Sequence, residues 1–508
     1  CDKGRYNFEY LNSEKRLKVP LKSVDNNFEE TEIQDIYSEL SEIIKDKKNK
    51  VKFFLGSNLT NEDYIAFREF SKSISDNKQS FYINDDLLYQ GHFGKDNELA
   101  KIDDLNSSDA IVVWAEDLKE KLPVLYLRVR QAVKKGVKLI VFGHTNETLS
   151  DIADVFYGKE TVSENFEIIK DVSKLEEINN YVIDKNVTAI IGKSTPQQSD
   201  ASVSELFEFL KANANTKILN AYTKGNTYGA FQTLENIKGT KDFVDDISSE
   251  NTELLFIVGA DPVGRSFYSN EITSMLQNLN TVVSLDLFIH ETSELSDYVI
   301  PISSTLGEKD GTFTNIEFRT SRIDKLVPSP GQTVSDWEFI TSLMNFAGLS
   351  NNFNSLEDLN NKAFEGIEAS SSPVFDNLDK PSNVDGIINI DTPTINTSEN
   401  NLSKRLFYIG EKLYGDSVTE RHSESISLLG SKKFIEVSQN IVDKFKLTSE
   451  KCSMVQGELE VTVSYKVNNK LPDDLIYIPI NRRELNKFDF SKEITVLPSR
   501  VKEALNVN

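Results

Sequence analysis

Short apolar runs alternate with helical stretches along most of this 508-residue chain, and that alternation restricts the folds open to it. VKFFLG at 51–56 precedes the helical NEDYIAFREFSKSI, and AIVVWAE at 110–116 precedes VLYLRVRQAVKKG. VTAIIGKS at 187–194, LLFIVGADP at 254–262 and TVVSLDLF at 281–288 continue the series. Strands that alternate with helices form parallel sheets with helices on both faces. The sequence therefore predicts an α/β fold built on Rossmann-like parallel sheets.

The chain is too long for one hydrophobic core, because cores stop growing near about 250–300 residues. A segment rich in Ser, Asn, Asp, Thr and Pro at 368–404 is typical of a linker. Beyond it, the alternating ELEVTVSYKV and DDLIYIPI predict the strands of a small domain. We predict a lead-in at 1–50, a first α/β unit at 51–180, a second at 181–367, the linker at 368–404 and a strand-rich, dinucleotide-binding-like C-terminal domain at 405–508.

Charge and cysteine content exclude several classes of protein. A formal net charge of -23 argues against a nucleic-acid or anionic-lipid surface, because like charges repel. No apolar run approaches the roughly 18–20 residues of a membrane-spanning helix, so any membrane link must go through partners. Cys1 and Cys452 are the only cysteines, which excludes a disulfide framework and a CxxC metal site and fits a reducing compartment. Four isolated histidines argue against a zinc hydrolase.

GADP at 259–262 follows an apolar run, where a loop at the carboxyl end of a strand is expected. Ligands of open α/β sheets bind at such ends, so Gly259 and Asp261 are candidate ligand contacts. A structural explanation competes with this one: Gly259 allows a tight turn, Asp261 caps the next helix and Pro262 opens it. We favour the structural explanation and leave the ligand contact open.

The richest motif is EKDGTFTNIEFR at 308–319. Its Asp310-Gly311 pair is a turn signal, and Gly311 supplies a positive φ or allows a close backbone approach. Asn315, Glu317 and Arg319 occupy alternate positions, which would point them to one side of an extended segment. Such a row can hold a polar ligand or brace a loop.

This motif and its flanks, from TVVSLDLF through DYVIP to PSPG and a DW pair, resemble the pattern of the molybdopterin oxidoreductases. CDKGRYNFEYLNSEKRLKVPL at 1–21 is similar to the family's CxKGRF…RL…PL segment, and SNLTNEDYIAFREF at 57–70 to its TNEE-like helix. LPVLYLRVRQAVKKGVKLIV at 122–141 is similar to the family's P-x-L-x-R-x-R-x-A-x-x-x-G segment, which leads into a strand. The resemblance implies a molybdopterin-oxidoreductase-like body over almost everything up to residue 348.

Within this superfamily the chain most resembles the large iron–sulfur subunit of NADH-quinone oxidoreductase, the respiratory complex I. RLFYIGEKLYGDSVTERHSESISLL at 405–429 looks like the carboxyl-terminal part of that subunit. No cysteine occurs between residues 2 and 451, whereas catalytic members ligate their metal through a Cys, selenocysteine, Ser or Asp. FYINDDLLYQGHFG at 81–94, where such a ligand is expected, carries Asp85, Asp86 and His92 but no recognisable ligand motif.

The resemblance to this respiratory subunit implies an iron–sulfur electron relay and structural scaffold in the peripheral arm, carrying electrons from NADH to quinone. The chain would be part of an enzyme but not catalytic alone. Cys1 would be the fourth ligand of a [4Fe–4S] cluster, at the end of a cluster segment over 1–50, with three cysteines upstream. Molybdopterin is not expected. The implied partners are other peripheral-arm subunits, without nucleic acid or direct membrane insertion, at the cytoplasmic face of the bacterial inner membrane.

The resemblance also implies a set of residues from a vestigial pterin pocket and no catalytic residue. The set is Gly259, Asp261, Glu308, Asp310, Gly311, Thr312, Asn315 and Arg319.

Two alternatives stay open. The first is an active molybdopterin-dependent oxidoreductase such as a formate-dehydrogenase-like enzyme, with a Ser or Asp metal ligand. The second is a lipid-anchored binding protein that begins at Cys1, because mature bacterial lipoproteins start with an acylated cysteine.

Overall fold

The structure is a computed structural model. It describes residues 1–46, 50–75, 79–84, 99–114, 117–142, 147–157, 172–192, 200–249, 252–363, 407–410, 413–415, 417–430, 434–471, 473, 476–479, 485–490 and 494–499. The predicted linker at 368–404 and the residues Asp85, Asp86 and His92 lie outside this part of the chain.

The described strands are short, and most match the apolar runs of the sequence. They are β1 Leu21–Val24, β2 Asn27–Glu30, β3 Val51–Leu55, β4 Phe81–Ile83, β5 Ala110–Trp114, β6 Lys138–Phe142, β7 Val155–Tyr157, β8 Asn186–Ile191, β9 Asn215–Asn220, β10 Ile237–Lys238, β11 Leu254–Val258, β12 Thr281–Asp286, β13 Tyr298–Pro301, β14 Gly311–Thr314, β15 Thr320–Ile323, β16 Phe407–Gly410, β17 Phe434–Val437, β18 Lys451–Gln456, β19 Leu459–Val467, β20 Ile476–Pro479 and β21 Thr495–Pro498.

Helices connect these strands. They are α1 Asp2–Tyr6, α2 Ile33–Asp46, α3 Asn61–Ile74, α4 Asp104–Ser107, α5 Leu118–Lys121, α6 Pro123–Lys134, α7 Glu147–Ser150, α8 Val172–Val182, α9 Asp200–Asn213, α10 Thr227–Thr233, α11 Thr240–Ser249, α12 Pro262–Arg265, α13 Ser269–Leu276, α14 Asp336–Phe346, α15 Leu356–Ala363, α16 Val418–Arg421, α17 Glu424–Gly430 and α18 Gln439–Phe445, with short 3₁₀ turns at Glu9–Asn12 and Ser293–Leu295.

Within the described residues the strands form three sheets and a separate hairpin. The first sheet has the order β10-β4-β3-β11-β12-β13-β1-β2. The first six strands in this order are parallel, and β1 and β2 form an antiparallel edge. The second sheet, β7-β6-β5-β8-β9, is entirely parallel. The C-terminal sheet is mixed, with the order β16-β20-β17-β19-β18-β21. The predicted α/β fold with parallel sheets and a strand-rich C-terminal part is confirmed.

The second sheet is inserted between β4 and β10 of the first sheet. Its central strand β5 pairs with β8, which joins residues from both sides of the predicted boundary at residue 180. Alternation of strands and helices does not specify which strands pair, so the sequence could not place this insertion. The division of the chain into domains remains a prediction.

The central strands of the first sheet are buried on both faces, which is why they read as continuous apolar runs. Phe53 of β3 stacks on Phe256 of the neighbouring β11 with ring centroids 5.8 Å apart. Phe54 points to the opposite face and meets Phe243 of α11 at 4.5 Å. Both faces of β3 are therefore packed into hydrophobic core, and this packing fixes the position of its carboxyl end.

No helix in the described part of the chain is long and apolar enough to cross a membrane.

Candidate functional site

Both parallel sheets contain a topological switch point, where strand order reverses. In the first sheet the chain leads from β3 outward to β4, and from β11 outward to β12 on the other side. In the second sheet it leads from β5 to β6 on one side and from β8 to β9 on the other. Open α/β sheets bind ligands outside the carboxyl ends of strands at such points. The fold therefore offers two candidate ligand crevices.

The first switch point is built by two glycines in close backbone contact. Gly56, directly after β3, donates its N–H to the carbonyl oxygen of Val258 at 2.7 Å. A Cβ atom on Gly56 would lie 2.1 Å from the carbonyl oxygen of Gly259. Gly259 itself has a φ of 58°. Only glycine fits at residue 56, and the turn at Gly259 has the left-handed geometry that favours glycine.

Asp261 and Pro262 begin α12 as the structural explanation of GADP predicts. The carboxylate of Asp261 accepts a hydrogen bond from the backbone N–H of Gly264 at 3.1 Å, and Pro262 is the first helical residue. This cap satisfies one of the free N–H groups at the helix start.

Three buried polar atoms near the switch points have no hydrogen-bond partner within the described residues. They are Oγ of Ser57 after β3, Nε1 of Trp114 at the end of β5, and Oγ1 of Thr227 at the start of α10. The backbone N–H of Asn226 donates to the carbonyl oxygen of Ser57 at 2.7 Å, so Ser57 and Thr227 belong to one local cluster. Buried polar groups in folded proteins almost always have a partner. These atoms therefore fit a polar ligand at the carboxyl ends of the strands.

Aromatic side chains extend from Trp114 along the same edge of the second sheet. The rings of Trp114 and Phe142 are 5.3 Å apart, and those of Phe142 and Tyr157 are 5.0 Å apart and stacked. Each is the last residue of its strand. The rings of Trp114 and Phe142 are inclined by 41°, and all three side chains are buried in the hydrophobic core of the second sheet.

A charged cluster fills the neighbouring ends of β11 and β12. Nδ1 of His290 lies 3.1 Å from a carboxylate oxygen of Asp261, and its Nε2 lies 3.1 Å from one of Asp286. Burial alone would lower the pKa of His290, but the two aspartates outweigh it and raise the pKa to about 10. Arg421 of α16 reaches Asp261 at 3.3 Å and Glu291 at 3.2 Å. At these two strands the protein's own charges are paired with one another, although Nε2 of His290 makes no hydrogen bond of good geometry within the described residues.

The start of the EKDGTFTN motif is held by buried ion pairs. Glu308 binds Arg16 through two hydrogen bonds of 2.8 and 3.0 Å. The ammonium of Lys309 lies 2.6 Å from a carboxylate oxygen of Asp63 and also pairs with Asp336. Lys309 and both aspartates are almost completely buried. The motif therefore joins the start of α3 to the start of α14.

The next residues fasten the hairpin of β14 and β15 to α3. The backbone N–H and the hydroxyl of Thr312 donate to the Glu62 carboxylate, each at 2.8 Å. Burial raises the pKa of Glu62 to about 7. A Cβ atom on Gly311 would lie 2.5 Å from Cγ2 of Thr60, so Gly311 serves close approach, without a positive φ. Asp310 accepts a hydrogen bond from the backbone N–H of Lys325 at 2.9 Å.

The predicted extended row of Asn315, Glu317 and Arg319 is wrong. These residues form the turn between β14 and β15, where Oδ1 of Asn315 accepts from the backbone N–H groups of Glu317 at 2.9 Å and Arg319 at 3.1 Å. A side-chain bond from Asn to the backbone stabilises a turn in place of an extended segment. Glu317 accepts from the backbone N–H of Ile102 at 2.8 Å, and Arg319 is exposed.

The structure thus separates the predicted pocket residues into two groups. Gly259 and Asp261 lie at the end of β11, whereas the motif residues brace the hairpin, except for the exposed Arg319. Sequence reasoning missed Ser57, Trp114 and Lys309. The first two follow or end predicted strands, which is a usable signal, whereas the partners of Lys309 are far away in sequence.

The described residues contain no cluster of three or more side chains able to hold a metal ion. Cys1 is exposed and precedes α1, and Lys3 pairs with the buried Glu420 at 2.7 Å. The role of Cys1 as a cluster ligand stays a prediction, as do the respiratory partners and the peripheral membrane location.

Comparisons with known proteins identify the family. The family model described as molybdopterin oxidoreductase matches residues 16–346. The F420-dependent formate dehydrogenase subunit alpha of Methanocaldococcus jannaschii is 23% identical over 450 residues, covering 71% of this chain and 67% of that protein. The putative formate dehydrogenase YrhE of Bacillus subtilis is 22% identical, covering 74% of this chain and 47% of that protein. The chain thus spans about two thirds of the first relative and just under half of the second.

A comparison with solved structures concerns the fold of the chain. The structure of acetylene hydratase from Pelobacter acetylenicus superposes with a TM-score of 0.65 at 14% identity, covering 92% of this chain and 85% of that one. At this identity the likeness concerns the fold alone.

Two expectations are overturned by these findings. The expectation that the chain lacks catalysis of its own is wrong, because the relatives are named as formate dehydrogenases, which are enzymes. The expectation that molybdopterin is absent is wrong as well, because the matched family is defined by it. The finer resemblance to the respiratory subunit rested on the segment at 405–429 together with a missing cysteine. A missing cysteine removes one metal ligand and leaves the cofactor-binding fold intact. Since the family model covers more than half of the sequence, the chain belongs to the molybdopterin oxidoreductase family.

Proposed function

We propose that this chain is the cofactor-binding body of a molybdopterin-dependent oxidoreductase, similar to the formate dehydrogenases in substrate class. The observation that carries the proposal is the set of unpartnered buried polar atoms at two switch points within a chain of this family. Catalytic members bind two pterin dinucleotides, and two crevices with matching polar atoms suit two such ligands.

Ser57 and Thr227 would bind one dinucleotide at the first switch point. Their hydroxyls can donate to phosphate or pterin oxygen atoms, and a hydrogen bond to a charged group contributes about 1.5–3 kcal/mol. Trp114 would bind at the second switch point through its indole N–H. The bound cofactor would supply the redox centre, and these side chains would orient it and exclude water.

The sequence provides no thiolate for the metal, because no cysteine occurs between residues 2 and 451. The pterin-facing residues fit the cofactor, whereas a cysteine ligand of the formate-dehydrogenase kind does not exist in this chain. A protein ligand to molybdenum or tungsten from between residues 2 and 451 would be an oxygen or nitrogen atom.

Cofactor content tests the proposal directly. The protein is produced without oxygen, and its pterin and its molybdenum and tungsten are quantified per chain, followed by formate oxidation with a viologen acceptor. We expect stoichiometric pterin and one metal in the wild type. Ser57→Ala and Thr227→Val should each lower pterin retention about tenfold, the loss expected for one hydrogen bond to a charged group.

Thr341→Val is the matched control. Thr341 is also buried, but its hydroxyl donates to the carbonyl oxygen of Trp337 at 2.7 Å within α14, away from the switch points. This variant should keep the wild-type pterin content. Wild-type protein without pterin or metal would contradict the proposal, and cofactor-loaded protein that leaves formate unoxidised would contradict its substrate class.

A further inference from the structure

The outer face of α6 combines apolar and basic side chains. Its inner face, which includes Leu125 and Val129, is buried in the core of the second sheet. The exposed residues recur every three or four positions, and they are Val124, Leu127, Arg128, Gln131, Lys134 and Lys135, the last of which directly follows the helix. Such spacing places side chains on one side of a helix. We call these six residues the α6 stripe, and they extend over about 16 Å of helix.

The α6 stripe is basic although the protein is acidic. Asp and Glu make up 80 of the 508 residues, so a stretch of 25 residues has about four at the average density. None occurs between residues 122 and 146, which include two arginines and three lysines. At about 0.15 M salt, charges more than about 8 Å away are largely screened. A partner at this face therefore meets the local positive charge rather than the net charge of -23.

The protein's own side chains do not neutralise this positive charge. Within the described part of the chain, the side chains of Arg128 and Lys134 make no ion pair and no hydrogen bond. Lys135 donates to the side-chain oxygen of Asn106 at 3.0 Å, which is a neutral group. Three cations of the α6 stripe can therefore pair with carboxylates from outside.

The helices beside α6 use their acidic groups elsewhere. α4 and α5 both pack against α6, and each contains one acidic residue. Asp104 of α4 pairs with Lys217 at 2.8 Å. Glu120 of α5 accepts a hydrogen bond from the backbone N–H of Leu413 at 3.0 Å. Neither carboxylate is placed by these contacts to compete for the α6 stripe.

The apolar end of the α6 stripe adds a second property. Val124 and Leu127 are 52% and 57% exposed and lie one turn apart. A single exposed apolar side chain is ordinary on a protein surface. Here two of them adjoin a row of unpaired cations, and such a combination suits binding: apolar contact supplies affinity, and complementary charge fixes the partner's orientation.

We propose that the α6 stripe binds an acidic amphipathic helix of a partner protein. Apolar side chains of that helix cover Val124 and Leu127, and its carboxylates pair with Arg128, Lys134 and Lys135. Two helices packed side by side bring such rows of side chains together. A short helix matches a stripe of about 16 Å, whereas a membrane or a nucleic acid extends far beyond it and would also meet the rest of this acidic protein. No covalent step is involved.

A synthetic acidic helix tests the proposal. The patterned peptide carries leucines and glutamates at the spacing of the α6 stripe, and a scrambled peptide has the same composition without that spacing. Each is titrated calorimetrically into the whole protein at about 0.15 M salt. We expect one saturable site per chain for the patterned peptide and binding at least about tenfold weaker for the scrambled one, a difference of about 1.4 kcal/mol.

Two variants locate the site on α6. Arg128→Gln combined with Lys134→Gln should weaken binding of the patterned peptide about fivefold, because two exposed ion pairs are lost. Leu127→Ser should weaken it about tenfold through lost apolar contact. All three side chains are exposed, so the variants should keep the circular dichroism of the wild type.

Matched controls remove the same groups elsewhere. Lys18→Gln combined with Lys325→Gln removes two exposed cations outside α6, and Leu326→Ser removes a leucine that is 81% exposed. Both controls should bind the patterned peptide like the wild type. Equal losses in the α6 variants and their controls would mean diffuse attraction and would overturn the proposal.

Three further results would also overturn it. The first is the absence of saturable binding of the patterned peptide. The second is equal binding of the scrambled peptide. The third is binding of vesicles that contain phosphatidylserine, lost in the Arg128 and Lys134 variant, without binding of the peptide; this result would assign the α6 stripe to a membrane surface instead.

Discussion

Lys309 is a residue of the family motif that makes two buried ion pairs. Its ammonium lies between the carboxylates of Asp63 and Asp336, and all three side chains are at most 2% exposed. Burial alone would lower the pKa of Lys309, but the two aspartates outweigh it and raise the pKa above its usual value. The lysine therefore remains charged and holds two helix starts together.

Lys309→Met should destabilise the protein by about 3–5 kcal/mol at neutral pH, because it leaves two buried carboxylates without a cation. Urea unfolding measures this loss. The loss should shrink toward acidic pH, where the carboxylates accept protons. Lys22→Met is the control: Lys22 and Glu39 are each more than one third exposed, and such pairs contribute about 0–1 kcal/mol. Equal losses in both variants would contradict the buried-pair explanation.

His290 should make the free energy of unfolding depend on pH above the ordinary pKa of histidine. Its folded-state pKa of about 10 lies above the ordinary value of 6.5. The stabilisation by its imidazolium is therefore complete below pH 6.5 and is lost as pH rises toward 10. His290→Gln should be most destabilising at the acidic end of this window and least at the alkaline end, as measured by urea unfolding across it.

His422 provides a comparison of opposite sign. It stacks on Phe288 with ring centroids 3.8 Å apart, and burial together with Arg421 lowers its pKa to about 4. The folded state therefore loses stability as pH falls from 6.5 toward 4, because the unfolded chain takes up the proton first. His422→Gln should remove this acid-side dependence and leave the alkaline side unchanged. If His290→Gln and His422→Gln changed the free energy of unfolding on the same side of the pH range, the opposite pKa shifts of the two histidines would be contradicted.

At the scale of elements, the hairpin of β14 and β15 depends on close contact with α3. Gly311→Ala would place a Cβ atom 2.5 Å from Cγ2 and 2.8 Å from Cβ of Thr60. Overpacking of this kind costs about 1–3 kcal/mol, and we expect that loss in urea unfolding. Gly4→Ala in α1 is the control, because nothing lies within 4 Å of its Cβ position. A neutral Gly311→Ala variant would show that the hairpin can move away from α3 at little cost.

The sequence predicted elements well where the physical cause is local. Strands β3, β5 and β11 are buried on both faces and read as apolar runs, and Asp261 and Pro262 follow cap rules within one turn. It failed where the cause is distant. Lys309 and Asp63 are 246 positions apart, and nothing local pairs them. It also failed at one local turn, because the hydrogen bonds of Asn315 with Glu317 and Arg319 make a turn that an alternating pattern does not reveal.

At the scale of the whole molecule, α16 connects the C-terminal part to the first sheet. Arg421 reaches Asp261 and Glu291, while Glu420 binds Lys3 near the start of the chain. Burial alone would raise the pKa of Glu420, but Lys3 and Arg265 outweigh it and lower the pKa to about 2. Phe267 and Phe490 add a stacked contact with centroids 5.5 Å apart. The C-terminal part is thus held by charged, hydrogen-bonded and aromatic contacts, which include the stack of His422 on Phe288 and the hydrogen bond from the side-chain N–H of Asn486 to the carbonyl oxygen of Gly264 at 2.7 Å.

Arg421→Gln should weaken this connection and separate two unfolding steps. Both tryptophans, Trp114 and Trp337, lie outside the C-terminal sheet, so their fluorescence reports on the body, whereas far-ultraviolet circular dichroism reports on all parts. The dichroism of the variant should begin to change at a lower urea concentration than its fluorescence. The gap between these two urea concentrations should be larger than in the wild type. Arg322→Gln, which removes an exposed pair with Asp324, should leave the gap unchanged. Coincident transitions in Arg421→Gln would mean that the remaining contacts suffice to keep unfolding cooperative.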